Sequence, residues 1–171
     1  MSHLNVEIKA RCKDQNKIRE LLKSKDADFK GVDHQIDTYF KVPNGRLKLR
    51  EGNIENALIF YSRENKQGPK ESHVSMCAMP PEANLKEVLA QALDILVVVD
   101  KEREIYFIEN VKFHLDLVQG LGTFVEIEAI DMIGNNDKDK LLQQCNFYLE
   151  LFGIANDDLL SQSYSDLLRA K

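Results

Sequence analysis

The sequence of 171 residues is 43% hydrophobic and 30% charged, which suits one soluble domain spanning 1–171 with its own core and leaves little room for a second. Its formal net charge of −5 speaks against nucleic acid as a partner, because phosphate backbones are bound by clustered Lys and Arg on basic domains. No apolar run is long enough to span a bilayer and no secretory segment follows Met1, so no membrane partner is expected and a cytoplasmic location is.

In chain order, Leu4–Arg11 alternates apolar and polar residues with the period of a half-buried strand. Asp14 is a candidate helix N-cap ahead of Ile18, Leu21 and Leu22. Asp37–Val42 and Arg46–Glu51 read as strands joined by a turn at Asn44-Gly45, followed by strands at Ala57–Arg63 and Glu71–Ala78. Pro80-Pro81 opens a helix with Leu85, Val88, Leu89, Ala92 and Leu93 on one face. The long run Ile95–Ile108 predicts a strand split or bent near Arg103. Residues 111–118 and 123–130 then form a hairpin about Gly120-Leu121-Gly122. Two further helical stripes follow. Leu141, Leu142, Cys145, Leu149 and Phe152 are closed by Gly153; Leu160, Tyr164, Leu167 and Leu168 come last. Eight or nine antiparallel strands can close into a barrel, with helices covering its apolar outside. Cys12, Cys77 and Cys145, odd in number and outside any CxxC pattern, are expected to be small buried or half-buried side chains, not a disulfide framework or a zinc site.

The polar faces of these strands separate their charges. Arg46, Lys48 and Arg50 form one basic row, Lys101 and Arg103 another, and Glu126 with Glu128 an acidic row. A face that only solubilises usually mixes signs, although solvated faces are the common case in antiparallel sheets. Carboxylates two apart on one strand face suit a hard divalent cation such as Mg²⁺ or Mn²⁺, and rows of Lys and Arg suit phosphate oxygens. Together they describe a site for a metal–polyphosphate complex. Other features carry less. His114 shares a face with Asp116 but lacks a second imidazole, Gly120-x-Gly122 is a turn and not a phosphate loop, and Arg46, Glu102 and Glu104 are expected in solvent. Tyr164 is expected to pack on the barrel mouth, the alternative being a lid over substrate.

Several segments taken together resemble the CYTH, or triphosphate tunnel metalloenzyme, family: Asn5-Val6-Glu7-Ile8-Lys9, Gln35–Phe40, Gly45–Glu51, Asp100–Arg103, His114–Asp116, Gly120–Glu128 and Gln162–Leu168. The ending is similar to the class IV adenylate cyclase branch. The resemblance implies an α+β fold, a closed antiparallel eight-stranded β-barrel with helices packed outside, whose lumen holds a small-molecule triphosphate such as a nucleotide, thiamine triphosphate or inorganic triphosphate. It places metal on Glu7, Glu126 and Glu128, with Asp116 a further contributor, and phosphate on Lys9, Lys48, Arg50, Arg63, Lys101, Arg103 and Lys112. Lys9, Lys101 and Arg103 would be the catalytic cations, and a homodimer stays open. The activity implied is conversion of ATP to cyclic AMP and pyrophosphate; the alternatives are a triphosphate phosphohydrolase and a non-catalytic polyphosphate-binding module. Asn5 departs from the pattern, standing where the family has its first glutamate, which puts full metal occupancy in doubt.

Overall fold

The computed structural model describes residues 2–80, 84–135 and 137–171. Eight strands are present: β1 (Ser2–Arg11), β2 (Asp28–Phe40), β3 (Arg46–Glu51), β4 (Ala57–Arg63), β5 (Lys70–Ala78), β6 (Ile95–Ile108), β7 (Val111–Val118) and β8 (Gly122–Ile130). They close into a barrel in the order β1-β5-β4-β3-β2-β6-β7-β8. All the pairs are antiparallel, and closure leaves no unpaired sheet edge.

The alternation in β1 sorts its side chains between two buried environments. Leu4, Val6, Ile8 and Ala10 face outward into a core shared with Phe113, Val125 and Ile127 and covered by two helices, α1 (Gln15–Ser24) and a later helix, residues 138–152. Asn5, Glu7 and Lys9 face inward, and all three are buried too, so this barrel has a charged interior and an apolar outside. Asp14 caps α1 by accepting from the Lys17 backbone N–H, and Ile18 and Leu22 are its buried stripe. The helix after β5, α2 (Leu85–Leu93), starts beyond the expected Pro80-Pro81 opening, of which Pro81 lies outside the described residues; none of its residues is fully buried. In α3 (Lys138–Phe152), Leu141, Cys145, Tyr148 and Phe152 are buried, and Gly153 ends the helix at φ +64°, where a side chain would be strained. The last helix, α4 (Tyr164–Arg169), begins with a reciprocal cap between Ser163 and Asp166, so Leu160 lies ahead of it and not on its face.

Three expectations need correction. β2 begins nine residues before the predicted Asp37 and ends at Phe40, not Val42, because its inward residues Asp33, Gln35 and Asp37 are buried and polar while outward Phe29 and Val32 are exposed. That inverts the hydropathy signal of an ordinary strand. β6 runs unbroken through Arg103; the irregularities sit on its partner, at Phe29/Gly31 and Tyr39/Phe40 of β2. Of the cysteines, Cys12 and Cys145 are buried but Cys77 is exposed on β5. No described helix is long and apolar enough to cross a membrane.

Candidate functional site

The barrel encloses a cavity of about 540 Å³. All seven predicted phosphate ligands line it: Lys9 from β1, Lys48 and Arg50 from β3, Arg63 from β4, Lys101 and Arg103 from β6, and Lys112 from β7. Glu7, Glu126 and Glu128 line it as well. Charge rows that are far apart in sequence thus share one lumen, because strands of even side-chain period present the same parity inward.

Two walls of the lumen differ. On the β2–β3–β6 wall, Asp37 accepts from Lys48 at 2.9 Å, from Arg50 through two bonds at 2.9 Å, and from Lys101 at 2.7 Å. Burial alone would raise its pKa, but the charges of Arg50, Lys101 and Lys48 outweigh that and hold the carboxyl well below its usual range. One carboxylate therefore fixes three cations. Arg50 and Lys112 also meet Glu55 from the β3–β4 loop.

On the opposite side, the β1–β8 register places Glu7 beside Glu128 and Lys9 beside Glu126. Glu126 lies 3.5 Å from Lys9 and 3.2 Å from Arg103. Burial pushes its pKa up, but Lys9, His114 and Arg103 bring it well below the ordinary value. Glu7 pairs with Arg63. Glu128 is different: it receives a hydrogen bond from the Asn5 side-chain amide, and burial, only partly offset by Lys112 and reinforced by Glu126, raises its pKa. The two glutamates of one row are thus pushed apart, one held ionised and the other drawn toward the acid form.

Asp116, expected as a metal contributor, does not line the cavity. Its two oxygens take Arg103 at 2.7 and 2.6 Å, and one also accepts from the Tyr164 hydroxyl at 2.7 Å. Its pKa is about 2, since the Arg103 guanidinium overcomes the effect of burial. It holds Arg103 from behind. Tyr164 enters the lumen itself, with Lys9 Nζ 3.7 Å from its ring centroid. His114 is fully buried and its pKa falls to about 3, through burial first and then the Arg103 charge, so its imidazole is neutral near pH 7. Arg46 and Glu104 are half-buried and paired, with Asp166 and Arg19 respectively, and are not simply solvated.

Toward α4, Tyr39, Tyr61, Phe124 and Tyr164 belong to one packed cluster, and Arg46 ties down Asp166 of α4 at 2.9 Å. Lys70 is buried on β5 and donates to the Leu160 carbonyl at 2.9 Å, fastening the chain that leads into α4; burial, with Arg63 and Lys9 nearby, draws its pKa down to about 7. Asp37, Glu55 and Lys70 were not expected from sequence. Asp33-x-Gln35-x-Asp37 does alternate, and that polar parity was a usable signal; Glu55 lies in a loop and has none.

The CYTH domain profile matches residues 3–164. The chain belongs to the CYTH family. A relative from Methanocaldococcus jannaschii is 30% identical over 178 residues, covering 96% of this chain and 98% of its own, and its name places it provisionally among the adenylate cyclases. A Vibrio parahaemolyticus structure, also provisionally named an adenylate cyclase, aligns with a TM-score of 0.78 at 15% identity over 99% of both chains. A Hippeastrum protein, provisionally named an adenylyl cyclase and described as having a dominant triphosphatase activity, aligns with a TM-score of 0.60 at 17% identity over 97% of this chain and 95% of its own. At such identities the two structures speak for the fold.

Among the described residues no group of three or more His, Cys, Asp and Glu side chains is gathered closely enough to cage an ion. The donors are nonetheless hard oxygens: Glu128 has no cationic partner within ion-pair distance among those described, and the buried Asn5 Oδ1 beside it lacks a hydrogen-bond partner. Such a set fits Mg²⁺ or Mn²⁺, which take one or two protein carboxylates and fill the remaining positions with water and substrate phosphate.

Proposed function

We propose that this CYTH protein is a metal-dependent enzyme that cleaves a phosphoanhydride bond of a triphosphate held inside the barrel. The observation that carries this reading is the convergence of seven Lys and Arg side chains with Glu7, Glu126 and Glu128 on one lumen. The whole lining carries seven basic and six acidic residues, so a triphosphate with four or more negative charges is only partly neutralised by the chain itself. That balance favours a substrate arriving with its cation.

In this reading Lys48, Arg50 and Lys101, spaced by Asp37, hold the phosphate chain in one orientation. Lys9 from β1 and Arg103, two residues beyond Lys101 on β6, meet at Glu126 and stabilise charge that builds on the leaving phosphate oxygen, with Asp116 fixing the guanidinium of Arg103. Glu128 and Glu126, with Glu7 and the Asn5 carbonyl oxygen nearby, would hold the cation; when bound it neutralises phosphate oxygens and aligns them for attack.

Two outcomes use the same cradle. Attack by a ribose 3′-oxygen on the α-phosphorus releases pyrophosphate and cyclic AMP; the M. jannaschii relative's name supports this reading. Attack by water on the terminal phosphorus releases phosphate; the triphosphatase described for the Hippeastrum protein supports that one. The experiment is product analysis with ATP, thiamine triphosphate and inorganic triphosphate, each with Mg²⁺ and with Mn²⁺. Cyclic AMP marks the cyclase, a diphosphate plus phosphate marks the hydrolase, and tight binding with no product from any substrate would defeat the enzymatic reading.

A further inference from the structure

The open end of the tunnel is chemically unlike the rest of it. Beyond the charged middle, the lining passes to Ile59 and Met76, which face each other across the β4–β5 pair, then to Ala57 and Ala78, the next such pair. Ile54 and Met132 from flanking loops extend this lining. Ile54 is 45% exposed, Met76 38% and Met132 69%, a concentration of exposed aliphatic side chains around one opening. The surface adjoins the phosphate cradle directly, since Arg50 pairs with Ala57 and Lys48 with Ile59 across β3–β4.

A purely inorganic triphosphate would have no use for such a mouth. A purine would be read by stacking and hydrogen bonds, and the mouth offers little of either. Among the described lining residues of the mouth the one phenyl ring, Phe107, already has Lys112 at 5.6 Å and Lys30 at 6.0 Å from its centroid. Asn56 spends its side chain on the Gly52 backbone, accepting from N–H at 3.1 Å and donating to C=O at 2.8 Å. His3 and Asp131 are the polar exceptions in this part of the lining, and His3 brings an imidazole whose buried Nδ1 lacks a hydrogen-bond partner, one polar contact against the aliphatic groups around it.

We propose that the substrate preferred by this tunnel is a polyphosphate ester of an aliphatic alcohol, of the alkyl or isoprenyl class, with its phosphates in the cationic middle and its hydrocarbon between Ile54, Ile59 and Met76. The proposal rests on the triphosphate reading above and selects its hydrolytic branch, because such an ester has no ribose hydroxyl to attack. Water oxygen bonds to the terminal phosphorus as the bridging P–O bond breaks, giving phosphate and the alkyl diphosphate, with one proton released to solvent. Flexible methionines beside branched aliphatics suit a chain of variable shape better than a rigid ring.

The test is calorimetric binding of methyl, butyl and octyl triphosphate, with ATP and inorganic triphosphate as references, at fixed Mg²⁺. Each buried methylene is expected to tighten binding about fourfold, so with about four of its seven extra methylenes buried octyl exceeds methyl by roughly a hundredfold or more, and exceeds ATP. Replacing both Ile54→Ser and Met76→Ser should flatten that chain-length gradient. Equal affinity for methyl and octyl esters, or tighter binding of ATP than of octyl triphosphate, overturns the proposal while leaving the triphosphate site intact. Failure of every compound, inorganic triphosphate included, overturns both. A dimer that the double substitution dissociates would show the mouth to be covered by a second copy, which also overturns it.

Discussion

Asp37 and Glu128 are carboxylates lining the same lumen, and their surroundings give them opposite characters. Asp37 is buried against Lys48, Arg50 and Lys101, at 2.7 to 2.9 Å, and is held well below the normal carboxylate pKa. Glu128 meets a neutral amide from Asn5, sits two residues from Glu126, and is raised. The proposed polyphosphate site needs both kinds. Three cations close together would repel one another without Asp37, whereas an acidic group left without a cation is available to an incoming metal.

The largest effect expected from breaking this contrast is on stability. Asp37→Asn leaves buried Lys101 and half-buried Lys48 without their anion and Arg50 with Glu55 alone, and should lower unfolding stability by about 3–5 kcal/mol, read by urea denaturation. Because the folded pKa of Asp37 is depressed, its contribution is fully present above the unfolded value near 3.9 and is lost as pH falls below it. The gap between the wild-type protein and Asp37→Asn should therefore narrow in acid below about pH 4. A gap that is constant from pH 7 to pH 3 would show that Asp37 is not the counter-ion described.

Next in size is Lys48→Ala, which removes one of the proposed phosphate donors while leaving Arg50 and Lys101 on Asp37. Affinity for inorganic triphosphate should drop by about 10–100-fold, the loss of roughly 1.5–3 kcal/mol for a charge-assisted bond. Lys23→Ala, on the exposed face of α1, is the control and should leave affinity unchanged.

A smaller effect sharpens the acidic wall. Asn5→Glu restores a carboxylate next to Glu128, so without metal it should destabilise the barrel by about 1 kcal/mol through like-charge crowding. With Mg²⁺ or Mn²⁺ it should lower the metal concentration needed for half-maximal activity several-fold and leave the product unchanged. A loss of turnover at saturating metal would mean that the neutral amide is required there. The smallest change is Tyr164→Phe: Asp116 keeps Arg103, so stability should fall by only about 0.5–1.5 kcal/mol.

Most of the barrel was legible because outward apolar residues alternate cleanly in β1, β3 and β7, and because turn residues mark the hairpins of β2–β3 and β7–β8. β2 escaped in its first half because its buried side is the polar one, an inversion that periodicity alone cannot distinguish from a loop. The convergence of Lys48, Lys101 and Glu128 was readable from segregated charge rows, and that of Lys9 from the family resemblance. Their division into two walls was not, because it depends on which strands meet when the barrel closes: β1 lies between β5 and β8, and β2 beside β6. The partners of Asp116 were hidden for a related reason. Sequence placed it on the inward parity, and only packing showed that Arg103 and Tyr164 take up its oxygens.

The claim that cations hold phosphate while Glu128 serves the metal is tested most directly by titrating inorganic triphosphate into the wild-type protein and Glu128→Gln, each with and without Mn²⁺. Mn²⁺ should tighten binding at least tenfold in the wild-type protein and by less than about twofold in the variant, while the two proteins bind similarly without metal. Equal enhancement by Mn²⁺ in both proteins would contradict the assignment.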